Sequence, residues 1–213
     1  MRDQYYEQLD SIVDDLVALT NSVRRAVSGA TAALLNADGQ LAETVIANDK
    51  EIDEATELIE ERALLILATQ QPVATDLRQL VATLRMLADL DRMGDLSVHI
   101  AKVARMRMPD SAVPDNLRPT IVQMAAVADQ MIDAASRIVA NRDVIAAERL
   151  EDEDDEMDQL RRSLFRTLLS DEWGHGVEPA IDLALLGRYY ERIGDHAVSM
   201  ARRVVYLVTG ELK

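Results

Sequence analysis

The stretch "LDRMGDLSVHIAK" at 90–102 returns as "YERIGDHAVSMAR" at 190–202, with Arg, Gly, Asp, Val and Ala kept in place. An internal duplication restricts a fold more than any single motif does. Each copy has to form the same local unit and bury its apolar face against a neighbour. The correspondence extends upstream. "NAD" at 36–38 matches "NRD" at 141–143, and "NDKEID" at 48–53 matches "EDDEMD" at 153–158. The offset is 105 residues through the first two segments of each copy and 100 through the third.

The unit repeated is helical. Aromatics make up 3% of the chain, glycines are few, and Ala, Leu, Arg and Glu are abundant, which favours helix over strand. Breaks come in order: "NADGQ" at 36–40, "QQP" at 70–72, "NRD" at 141–143 and "GHGVEP" at 174–179. Between them run long helical patterns. "MPDSAVPDNLRP" at 108–119 holds three of the five prolines and marks the midpoint. The fold expected is all-α: two tandem three-helix bundles from an internal duplication, spanning 1–108 and 115–213.

At 213 residues, with 48% apolar and 29% charged residues, the chain can bury a globular core. A net charge of −15 argues against nucleic acid or an anionic membrane as partner, because phosphate binding needs clustered Lys and Arg. There is no cysteine, hence no disulfide framework and no thiolate ligand, which fits a cytosolic protein. No secretory signal is expected, and the longest uncharged run, "ALLILATQQPVAT" at 63–75, is too short to span a bilayer and is broken by Pro72.

The repeats carry acids in register. Each third helix has Asp or Glu four residues before Asp, namely Asp91 with Asp95 and Glu191 with Asp195. Each second helix has an aligned D-x-x-x-D, Asp49 with Asp53 and Asp154 with Asp158. One such pair means little, since chance places roughly seven in a chain with 38 acids. Repetition in register means more. Second and third helices of a bundle are antiparallel neighbours, so the two pairs can face one another across a groove. Four oxygen donors there suit a hard cation; the competing reading is a solvated acidic face, helped by Arg92 and Arg192. Around Glu191 and Asp195 the residues Ala180, Ala184, Gly187, Gly194 and Val198 are mostly small, and Leu185, Tyr189, Ile193, Met200 and Leu207 lie opposite. That pattern predicts a shallow, outward-facing groove. In the first repeat Leu80, Leu84 and Leu87 run in line with the acids, so that pair is expected to be partly covered. The histidines, His99, His175 and His196, share no metal-ligand spacing and read as surface or capping residues. A ferritin-like di-iron centre needs Glu-x-x-His on two helices, and only Glu172 with His175 matches, in an expected loop. Ser–His–Asp chemistry has no local support.

With "QQPVATDLRQL" at 70–80 added to "LDRMGD" and "YERIGDHA", the chain closely resembles the PhoU family of phosphate-specific transport system accessory proteins. The resemblance covers nearly the whole chain. It implies a cytoplasmic, non-enzymatic homodimer that restrains phosphate uptake and phosphate-starvation signalling. The implied partners are the ATPase of the phosphate ABC transporter and a sensor histidine kinase, with no membrane insertion and no nucleic acid. It also implies metal binding (Mg, Mn, Fe, Zn or Ca) through Asp91, Asp95, Glu191 and Asp195; Asp49, Asp53, Asp154 and Asp158 follow from the repeat argument. Asp91 stands where the family commonly has Glu, a shorter side chain that can set the two grooves apart. The rival readings are a ferritin-like metal-storage bundle and a plain helical scaffold.

Overall fold

A computed structural model describes residues 2–211, with side chains for 5–151 and 155–211. Six helices follow one another: α1 Arg2–Asn36, α2 Gly39–Gln70, α3 Ala74–Arg107, α4 Arg118–Asn141, α5 Val144–Leu168 and α6 Val177–Thr209. Their boundaries repeat at the level of single atoms. Asp38 caps α2 by accepting from the Leu41 amide, and Asp143 caps α5 by accepting from the Ala146 amide. Each cap satisfies an amide that the first turn of a helix leaves without a partner. The residue before each cap, Ala37 or Arg142, has positive φ. So "NAD" and "NRD" are one turn made twice.

α1 buries Leu9, Ile12, Leu16, Leu19, Val23, Val27, Ala30 and Leu34, a three-and-four spacing that keeps one stripe facing inward. That stripe, with α3, α4 and α6, forms a core continuous through both repeats. Among the described residues α2 packs only on α1 and α3, and α5 only on α4 and α6, so these two helices are the outer faces of the molecule. The two three-helix bundles are joined through α1 against α4 and α3 against α6.

The join has approximate two-fold symmetry. Arg24 binds Asp129, its own equivalent at the 105-residue offset, through Nε at 2.7 Å. Across α3 and α6, Asp89 accepts from Ser199 at 2.9 Å while the equivalent pair, Tyr189 and His99, stacks at 5.4 Å. Arg107 also reaches Glu178 and, at 2.5 Å, the buried Asp182. The helices of such a pair run antiparallel. The two acidic seams, α2 with α3 and α5 with α6, therefore lie in opposite halves of the molecule.

Candidate functional site

In the first repeat α2 supplies Asp49 and Asp53, and α3 supplies Asp91 and Asp95. A glycine lets them meet. A Cβ on Gly94 would lie 3.3 Å from Asp49 Oδ1 and 3.4 Å from Ile52 Cγ2, so the bare backbone of α3 leaves room for the Asp49 carboxylate between Asp91 and Asp95. Burial pushes the Asp49 carboxyl up to about 6, with further upward pressure from the charges of Asp53, Asp95 and Asp91; Lys102 opposes it. Burial likewise raises Asp91, followed by Asp95 and Asp53, with Arg92 opposing. Asp49, Asp91 and Asp95 are half-buried and Asp53 is exposed at the rim. The partial covering expected of Asp91 and Asp95 is present. The ion pair at this groove, Arg92 to Asp95 at 2.9 Å, is solvent-exposed and weak.

The second repeat differs from the expectation of a shallow outward groove. Glu191 is 8% exposed. Arg161, reaching across from α5, has its Nε 3.3 Å from Glu191 Oε1, and Arg188, one turn earlier on α6, bonds Oε2. The Arg161 guanidinium also lies 5.6 Å from the centre of the Phe165 ring. Asp158 pairs along its own helix with Arg162 at 2.8 Å. Asp195 is exposed, and the side chain of Asp154 lies outside the described residues. The small residues thought to line an open groove instead admit α5. A Cβ on Gly187 would stand 2.9 Å from Leu164 Cδ2, and Gly194 and Val198 are buried. Leu185, assigned to the apolar stripe opposite, is 42% exposed.

Sequence reasoning also missed His196. It is not a surface residue: its Nδ1 lies 2.9 Å from Asp89, the carboxylate that accepts from Ser199. Asp89 bridges the other two, and Ser199 bonds the carboxylate rather than the imidazole. This is a clasp between α3 and α6, not a nucleophile with its base. Glu172 and His175 lie between α5 and α6, where His175 packs on Trp173. The signal for Arg161, Arg162 and Arg188 was present in the repeat alignment, in its differences. Their equivalents are Thr56, Glu57 and Ala88.

The chemistry of the donor set in the first groove, carboxylates with half-buried charge, suits a hard cation. Among the described residues no three His, Asp or Glu side chains stand close enough to hold one ion as arranged. The second groove does not fit, because its buried carboxylate is already bound by two guanidinium groups.

A chain of six long helices, two three-helix bundles fused about a pseudo-two-fold axis with an acidic seam, defines a class of duplicated helical-bundle proteins. The PhoU domain matches it twice, over residues 16–104 and 121–204. It is 43% identical over 210 residues to the phosphate-specific transport system accessory protein PhoU homolog 2 of Mycobacterium tuberculosis, spanning 99% of both chains. It is 41% identical over 212 residues to PhoU homolog 1 of the same species, spanning 100% of this chain and 96% of the relative. The crystal structure of PhoU from Pseudomonas aeruginosa superimposes with a TM-score of 0.91 at 28% identity, covering 97% of this chain and 100% of that one. The chain belongs to the PhoU family. Among the described residues no helix is long and apolar enough to cross a membrane.

Proposed function

We propose that this protein is a cytoplasmic negative regulator of phosphate uptake and phosphate-starvation signalling. It acts without catalysis, as a homodimeric adaptor between the ATPase of a phosphate ABC transporter and a sensor histidine kinase. The observation that carries the reading is end-to-end similarity, at 41 to 43% identity, to accessory proteins of phosphate-specific transport systems. The first groove is the responsive element. Asp49, Asp91 and Asp95, with Asp53 at the rim, would hold a hard metal ion, whose charge offsets the repulsion among them. Their side chains rotate inward to do so, and the α2–α3 face changes from strongly to weakly negative, which alters its complementarity to a partner.

The test is a phosphate-starvation reporter in phosphate-rich medium, in a strain lacking the gene and any paralogue. The wild-type gene is expected to restore repression, and a folded variant carrying D91N and D95N to restore it only weakly. Unchanged reporter output in the deletion strain would refute the regulator reading. Full repression by the amide variant would refute the role of the groove.

A further inference from the structure

Three pairs of equivalent positions decide how the two seams handle negative charge. On the outer helix, Thr56 and Glu57 of α2 correspond to Arg161 and Arg162 of α5; on the inner helix, Ala88 of α3 corresponds to Arg188 of α6. At each of them the second repeat has a guanidinium where the first has a neutral or acidic side chain. All three are engaged: Arg161 and Arg188 on Glu191, Arg162 on Asp158. The acids themselves are aligned in both repeats. What differs is whether the chain brings its own counter-ions.

We propose that the second repeat is closed to metal by Arg161 and Arg188, which occupy Glu191 from two helices, so that the protein loads cations in the first repeat only. The inference rests on the cation reading of the first groove and departs from the expectation that both grooves bind metal. A cation approaching Glu191 meets two positive charges and a carboxylate that accepts a charge-assisted hydrogen bond from Arg188 at one oxygen and is ion-paired with Arg161 at the other. To coordinate there it has to displace both guanidinium groups. Leu164, packed against Gly187, closes the α5–α6 seam on the same side. At the first groove, Arg92 is on an exposed rim, Lys102 offsets only part of the pressure on Asp49, and Thr56 and Ala88 offer no charge. The first seam is therefore left with repelling carboxylates whose charge a metal would offset, whereas Glu191 has its counter-charge supplied by the chain. The protein is a sensor with one responsive half and one constitutively set half.

Mn²⁺ titration of the 213-residue chain, followed by calorimetry, tests this. Wild type, E191Q and D195N are expected to bind the same amount of Mn²⁺ per chain, and D91N/D95N to lose it. Giving the second repeat the residues of the first, as R161T/R188A, is expected to add a second class of sites. Loss of Mn²⁺ in E191Q or D195N comparable to that in D91N/D95N overturns the proposal, and this comparison decides even if R161T/R188A does not fold. Binding by R161T/R188A but not by wild type would defeat the cation reading of the first groove and leave the arginine block standing. No binding by either folded protein defeats both.

Discussion

The two acidic seams share their motif and differ in their solution to the same electrostatic problem. In the first repeat four aspartates lie on facing helices with an exposed arginine at the rim, and Asp49 is pushed up to about 6 by burial and by its acidic neighbours despite the opposing charge of Lys102. In the second, Glu191 is buried deeper than any acid of the first seam, yet it is held by Arg161 and Arg188. Carboxylates left to repel one another respond to ions. Carboxylates paired within the chain respond to mutation.

That contrast is broken most directly at the equivalent acids. Replacing Glu191 by Ala leaves the half-buried Arg161 and the exposed Arg188 without their shared counter-ion and should destabilise the protein by about 1–2 kcal/mol. Asp91→Asn should be neutral or stabilising by up to about 1 kcal/mol, because it relieves repulsion. Urea unfolding with a chelator present measures both, and equal signs would end the distinction. Next in size come the glycines that set the seams. Gly187→Ala puts a methyl 2.9 Å from Leu164 Cδ2, so that side chain has to shift; set against the roughly 1 kcal/mol that helix propensity returns, the net cost should be up to about 1 kcal/mol. Gly94→Ala meets the Asp49 carboxylate at a looser 3.3 Å. Helix propensity returns about 1 kcal/mol there, so its stability should hardly change while Mn²⁺ affinity falls.

A smaller effect, with a defined pH dependence, belongs to Asp49. Its folded value of about 6 lies above the ordinary 3.8, so the native state holds this proton more tightly than the unfolded chain does. The ionised group destabilises fully above about pH 6, and the penalty fades as pH falls toward 3.8. Without metal, Asp49→Asn should therefore gain about 1 kcal/mol at neutral pH, after allowance for solvent screening, and nothing below about pH 4. Smallest is Arg92→Ala. Stability should move by less than about 0.5 kcal/mol, while Mn²⁺ affinity rises roughly threefold as a rim charge is removed. An unchanged affinity would sharpen the account by placing the ion on the α2 side of the groove.

The fold was legible because its determinants are local and repeated. Asp38 and Asp143 each announce a helix start, Pro72 interrupts the helical pattern between α2 and α3, and the 108–119 segment separates the repeats. The first groove was legible for the same reason, since the aligned spacing of Asp49, Asp53, Asp91 and Asp95 puts them on facing helices. The second was misread because a repeat alignment rewards what is shared. Arg161, Arg162 and Arg188 are what is not shared. The depth of Glu191 depends on how closely α5 approaches Gly187, a contact between helices that the face of one helix does not reveal. His196 was missed in the same way, because its partner Asp89 belongs to the other repeat.

Amide hydrogen exchange of the unmodified protein, in chelator and in saturating Mn²⁺, is the most direct measurement of the asymmetry. The account predicts that Mn²⁺ slows exchange in the segments around Asp49 to Asp53 and Asp91 to Asp95, and leaves the segments around Arg161 and Arg188 to Asp195 unchanged. Equal protection of both seams, or protection confined to the second, would contradict it.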